Sequence, residues 1–347
     1  PYLIPWRRLR SVTASRWGGC GRWGSTDMSA IPFVPRIDDT PSGVCEQIST
    51  LVQRIICNNP GKFTYHGTGT YIIGSQQCVV IDPGPRIDSH RDALAAALKG
   101  RELVGIVVTH CHGDHSPLSA WMKEEYGVPT YAFGPHRMVE GWTEEDDHDP
   151  SEEDETEKKD DEENEPLDVD FRPDVTVRDG DEMVRTKEFT LRAVHTPGHT
   201  SNHLCVAMPE EDTLFSGDHV MGWSTTIVAP PDGDMAAYFD SVRKVIGRGD
   251  ALLRPTHGGP VTDPQPFLHA LLQHRIDREN QVIEQLRQGV TTIPVMVKVL
   301  YANVDKRLHR PARRSIWSHM LKLHDEGRVR VTDGGTARLL ADYELVR

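Results

Sequence analysis

Thr109-His110-Cys111-His112-Gly113-Asp114-His115 places three histidines and an aspartate within six residues. It follows directly on LVGIVV at 103–108, an apolar run that reads as a buried strand. A strand that ends in a ligand-rich turn delivers side chains at one edge of a sheet, where open α/β architectures build their sites. Histidines at i and i+2 of an extended turn can face one cation, which turns Cys111 between them to the opposite side as a packing residue. Asp114 and His115 are then placed to serve a second cation. Imidazole and carboxylate donors suit zinc, and a site that keeps a position for water is catalytic.

Three later stretches repeat the arrangement. His195-Thr196-Pro197-Gly198-His199-Thr200 follows the strand-like FTLRAV at 189–194. Ser216-Gly217-Asp218-His219 follows DTLF at 212–215, and Pro255-Thr256-His257-Gly258-Gly259-Pro260 follows ALL at 251–253. Each is a short apolar segment running into a glycine-containing turn that carries His or Asp. Four such deliveries argue against a polar surface turn that is histidine-rich by chance.

The series HxHxDH, then His, then Asp, then His resembles the ligand series of the metallo-β-lactamase superfamily. The resemblance implies that His110, His112 and His199 hold a first metal, that Asp114, His115 and His257 hold a second, and that Asp218 bridges them. It selects His199 over His195, because PGHT is the family's third motif, and leaves His195 and His219 in supporting or structural roles. His203, four residues past His199, reads as either a pocket or supporting residue or a structural one. GTGTYIIG at 67–74 followed by VVIDPGP at 79–85 resembles the opening hairpin of the same superfamily. There the aspartate after the strand, here Asp82, supports the metal site from behind by fixing ligand orientation; a simple turn-forming Asp is the alternative. Tyr65 and His66 lie in a loop able to cover the site. Trp223, near Asp218, is either pocket wall or plain packing.

Strands alternating with helices predict an α/β fold, which the resemblance makes an αββα sandwich. DSHRDALAAALK at 88–99 reads as an amphipathic helix stopped by Gly100. Helices are also expected over 116–126 and 234–246, and strands over 128–133, 175–177, 188–194, 204–208 and 213–215. The domain reading is an extension at 1–43, a metallo-β-lactamase domain at 44–263 and a C-terminal unit at 264–347. That unit reads as helices over 266–287, 293–301 and 312–326. A hairpin of 327–331 and 336–340 about Asp333-Gly334-Gly335 follows them, a winged-helix shape. The combination resembles the β-lactamase-like-protein-2 branch of the superfamily.

Net charge is −13 over 347 residues, yet 144–165 alone holds fifteen acidic residues against two lysines. The acidity therefore belongs to one insert and says nothing about substrate; such a run cannot bury a core and is expected to be a flexible loop. Six scattered cysteines without paired spacing argue against a disulfide framework. No apolar run reaches 18 residues, so no membrane span is expected. Residues 1–27 are basic and lack an apolar core segment, so they do not read as a secretory signal. They read as upstream sequence before a start at Met28, with a transit-like segment the alternative, and a cytoplasmic setting is expected.

Two zinc ions about 3.5–4 Å apart share a water and lower its pKa toward ~7, so hydroxide can attack a carbonyl or phosphoryl centre. Iron or manganese could occupy the same donors. Asp114 and Asp218 are the expected catalytic carboxylates, and no Ser or Cys sits in an activated nucleophile motif. The expected reaction is hydrolysis of a small acyl substrate: β-lactam, thioester or ester. The alternative is a metal-dependent endoribonuclease, with RNA held by Lys306, Arg307, Arg310, Arg313 and Arg314. That cluster reads otherwise as a solvated surface or an arm facing a second copy in a homodimer.

Overall fold

Residues 79–81, Val-Val-Ile, show in miniature how the layers form. A strand sends successive side chains to opposite faces. Val79 and Ile81 enter one apolar core while Cys78 and Val80 enter another. A strand apolar on both faces must be covered on both. The computed structural model describes residues 31–34, 41–137, 166–302 and 309–346. The basic stretch 1–27, the acidic insert 144–165, and Lys306 and Arg307 lie outside these described residues.

Seven strands form the first sheet in chain order: β1 (Glu46–Gln47), β2 (Val52–Ile56), β3 (Gly69–Ile73), β4 (Gln77–Ile81), β5 (Glu102–Val107), β6 (Thr130–Ala132) and β7 (Val175–Thr176). Pairing is antiparallel up to β4 and parallel from β4 onward. Parallel neighbours need a crossover; α1 (Asp88–Leu98) and α2 (Leu118–Tyr126) supply two of them. The second sheet contains β8 (Glu182–Arg185), β9 (Thr190–His195), β10 (Leu204–Met208), β11 (Thr213–Gly217) and β12 (Leu252–Pro255), in the order β12-β11-β10-β9-β8. Its one parallel pair, β11 with β12, is joined through α3 (Met235–Arg248).

The sheets meet through Tyr71, Ile73, Val79, Ile81 and Val107 on one side and Leu191, Leu204, Val206 and Phe215 on the other. Leu94, Leu98, Leu118 and Met122 of α1 and α2 cover the far face of the first sheet. Val245 of α3, with Phe267, Leu268 and Leu271, covers the far face of the second. The expected αββα sandwich is therefore the fold.

Register brings the strand ends together. Ile81 lies opposite Val107, so Asp82 and Thr109 leave the first sheet at the same edge. Gly217 lies opposite Pro255, so Asp218 and His257 leave the second sheet side by side.

The strands expected at 175–177 and 188–194 are both present but lie in different sheets, and one expectation, in the C-terminal unit, needs correction. β7 closes the first sheet, and β9 pairs instead with β8, a short strand with two buried residues that carries little periodic signal. In the C-terminal unit, α4 (Pro264–Arg287), α5 (Ile293–Leu300) and α6 (His309–Asp325) precede a two-stranded sheet of β13 (Val329–Val331) and β14 (Tyr343–Leu345). The second strand is thus 343–345 rather than 336–340. Ala337 and Leu339 do alternate inward, but as irregular chain. Trp317 Nε1 donates to the Ala337 carbonyl at 3.1 Å, and Tyr343 Oη to the Arg338 carbonyl at 2.6 Å.

Candidate metal centre

His110 and His112 follow β5, His199 follows β9, Asp218 follows β11 and His257 follows β12. Their ring nitrogens and carboxylates, with Asp114 and His115, form three buried donor groups able to hold a metal ion: His110/His112/His199, His110/His115/Asp218 and Asp114/His115/His257.

In the first group the tautomers are fixed from outside. Thr109 Oγ1 gives its proton to Asp82 Oδ2, so it accepts from His110 Nδ1 at 3.1 Å. His199 Nδ1 donates to the Ile227 carbonyl at 2.6 Å. The Nε2 lone pairs of both rings then face His112 Nδ1, at 2.9 Å from His110 and 3.1 Å from His199. One proton on His112 Nδ1 satisfies one of these contacts, whereas a cation among the three nitrogens satisfies all of them. Burial pushes the His110 ring well below the usual histidine range, and the neighbouring His115, His112 and His199 push it further. It is a neutral imidazole, the form that ligates metal.

The second group differs in charge. His115 Nδ1 donates to Asp82 Oδ2 at 2.9 Å, and His257 Nδ1 faces the Gly67 carbonyl at 3.3 Å. Their Nε2 atoms approach Asp114 Oδ2 at 3.4 and 3.2 Å and Asp218 Oδ2 at 3.6 and 3.4 Å. Among the described residues, His115 Nε2 and Asp218 Oδ1 are buried without a hydrogen-bond partner. Burial opposes charge on His257, but the Asp218 and Asp114 carboxylates overturn it and push the ring up to about 10. His115 moves in the same direction against the same burial, under Asp114, Asp218 and Asp82. Two carboxylates held well below their usual range face these rings. The protein alone keeps protons where the charge of a divalent cation fits, and the donor set suits one.

The supports are in place behind the donors. Asp82, 1% exposed, accepts from Thr109 N and Thr109 Oγ1 at 2.8 Å each and from Thr256 Oγ1 at 3.1 Å, besides His115. His203 Nε2 accepts from Asp218 N at 3.1 Å, and its Nδ1 faces Thr196 Oγ1 at 2.9 Å. Its role is thus to hold the backbone of the Asp218 turn. His195 points away, stacked on Phe133 with centroids 3.7 Å apart, and His219 is buried against Tyr238. Cys111 packs in the core and accepts from Asn202 Nδ2 at 3.0 Å.

A cleft opens above the donors between Lys62 and Phe63 on one side and Met221, Trp223, Ser224, Thr225 and Ile227 on the other, with His199 and Asp218 in its floor. Tyr65, at φ 59°, stacks on Trp223 with centroids 4.9 Å apart. Trp223 both packs and lines the cleft: a Cβ at Gly258 would come within 2.7 Å of its ring.

Sequence reasoning missed several supports. Thr68 Oγ1 donates to Asp114 Oδ2 at 2.8 Å and accepts from Asn59 Nδ2 at 2.9 Å. No local pattern announces that pair. Thr109 and Thr256 carried a signal: each immediately precedes a donor histidine, and both hydroxyls meet on Asp82. Of the basic cluster, Arg313 is buried and Arg310 and Arg314 are partly covered. Nothing in the described part of the cluster supports an RNA-binding role.

Comparison with known proteins agrees with this geometry. Residues 65–257 match the model of the metallo-beta-lactamase superfamily, and 292–337 match that of the beta-lactamase associated winged helix domain. The atrochrysone carboxyl ACP thioesterase nsrC of Aspergillus novofumigatus is 31% identical over 70% of this chain, which spans 65% of that relative's length. The beta-lactamase-like protein 2 homolog of Drosophila melanogaster is 28% identical over 88% of this chain and 94% of its own. The crystal structure of a beta-lactamase domain protein from Burkholderia ambifaria shares the fold. Its TM-score is 0.67 at 18% identity, covering 89% of this chain and 96% of that one. With the donor-bearing turns and the C-terminal unit both matched, the chain belongs to the metallo-beta-lactamase superfamily of hydrolases.

Proposed function

We propose that this protein is a binuclear zinc-dependent hydrolase of an acyl substrate, most of all a thioester. The observation that carries the reading is the convergence of seven side chains in three overlapping donor groups, of which His199 and Asp218 reach the cleft: His110, His112 and His199 would hold one ion, Asp114, His115 and His257 the other, with Asp218 between them. When bound, such a pair supplies Lewis acidity and a water acidified toward neutral pH. The protein's share is positioning. Asp114 stays ionised and, with Oδ2 steadied by Thr68, accepts a hydrogen bond from the attacking water. Asp218 fixes the spacing of the two groups through its backbone tie to His203. The walls of Trp223, Phe63, Met221 and Ile227 hold an apolar acyl chain and exclude bulk water.

The thioester preference rests on the thioesterase among the relatives and on this apolar wall. Hydrolysis of an acyl thioester, an ester, a chromogenic β-lactam and a labelled single-stranded RNA would be measured with zinc and with chelator. Chelator-sensitive thioester turnover, with two ions per chain by elemental analysis, is the expected result. Full turnover after chelation would sink the reading. Chelator-sensitive RNA cleavage without acyl hydrolysis would replace the substrate. Iron or manganese in place of zinc would correct the metal alone.

A further inference from the structure

We propose that Arg275, on the helix shared with the C-terminal unit, is a positioning residue for the metal centre: it holds the Thr226–Ile227 segment on which both His199 and Asp218 depend. The inference rests on the reading of those two residues as metal donors.

Arg275 is 4% exposed, and no carboxylate pairs with it among the described residues. A buried guanidinium without a counter-charge costs folding free energy unless its hydrogen bonds and surroundings repay it. Here its NH2 group donates to the Thr226 carbonyl, and its Cζ lies 5.4 Å from the centre of the Tyr238 ring. Thr226 Oγ1 donates to the Asp218 and His219 carbonyls, at 2.7 and 2.9 Å. The next carbonyl, that of Ile227, accepts from His199 Nδ1 and so fixes the tautomer that turns His199 Nε2 inward. Tyr238 completes the support: its hydroxyl donates to the His219 carbonyl at 3.1 Å. Its backbone also lies so close to Gly198 that a Cβ there would come within 2.5 Å. One guanidinium thus steadies the loops of two donors. The same helix runs on to put Val282, Ile283 and Leu286 into the core of the C-terminal unit. That unit is in this way part of the support of the metal centre.

The test compares Arg275→Met, which keeps the length and removes the donors, with Arg275→Lys, which restores one donor. Zinc affinity and stoichiometry would be read by competition with a chromogenic chelator, beside circular dichroism and a melting curve for each variant. A folded Arg275→Met that binds zinc about 10- to 100-fold more weakly, with partial recovery in Arg275→Lys, supports the proposal. A variant that melts earlier yet binds zinc with full affinity overturns it and leaves Arg275 a packing residue. A second readout does not depend on zinc. In metal-free protein, the nitrogen NMR signature of the His199 Nδ1–H tautomer should weaken in Arg275→Met. An unchanged signature overturns the proposal even if wild-type protein proves not to bind two ions, a result that would count separately against the ligand assignment.

Discussion

Asp82 sits at φ 49°, in the left-handed region that aspartate enters more readily than most residues. From there its carboxylate gathers two threonine hydroxyls, a backbone N–H and the His115 ring. Asp82→Asn turns one acceptor oxygen into a donor that faces other donors. It should lower stability by about 1–3 kcal/mol in a urea titration, and zinc affinity about 10- to 100-fold. Stability lost with affinity intact would make Asp82 only a structural turn residue. Thr68→Val keeps the shape and removes the hydroxyl between Asn59 and Asp114. Its kcat should fall while KM for an acyl substrate stays near wild type; the reverse pattern would place Thr68 in substrate binding. At this scale the donors were legible because each lies in a short turn directly after its strand. Thr68 was not, because the residue it serves is 46 positions away, and no local spacing encodes such a contact. His195 against His199 was settled by family likeness alone; in the structure the ring of His195 turns to Phe133.

The helices that join the C-terminal unit to the sandwich carry a group of buried polar side chains between them. Glu279 of α4 receives Lys322 of α6 at 2.7 Å and Arg328 at 2.9 Å, while His319 Nδ1 lies 3.8 Å from the same carboxylate, beyond hydrogen-bond reach. Burial pushes His319 down to about 4, against partial opposition from Glu279, and His274 down to about 3. A histidine with a depressed folded pKa gives stability that is present above its ordinary value of 6.5 and is lost as pH falls below it. The melting temperature should therefore fall steadily from pH 6.5 toward pH 4, and His319→Gln should flatten part of that slope. A slope identical to wild type would show that His319 takes up its proton at about the same pH folded as unfolded, and so is not held down by burial. Elements were read well where a pattern had room to repeat, as in the fully buried strand at 204–208. They were read poorly where tertiary contact decides. β8 buries only two residues, and the strand at 343–345 is chosen by where the Tyr343 ring is buried.

For the molecule as a whole, the αββα order followed from strand–helix alternation and likeness of motif, but the route of the chain between sheets after β7 did not. Ions that bind only the folded state stabilise it by mass action. Zinc at about a hundred times its dissociation constant should add roughly 2.7 kcal/mol for each site filled, seen as a rise in melting temperature over chelated protein. An unchanged melting temperature would mean that the donor groups do not take up the ion. No helix among the described residues is long and apolar enough to cross a membrane.

The donors leave two different sheets, from the ends of β5, β9, β11 and β12. On the proposed ligand set, order of synthesis therefore matters. A nascent chain that has emerged only through β9 can offer His110, His112 and His199, yet the second sheet that places His199 is still incomplete. Asp218 and His257 follow later, and Arg275 later still. On that ligand set the centre is complete only once Asp218, His257 and Arg275 have all emerged, so a product truncated before them should carry the motif without the activity.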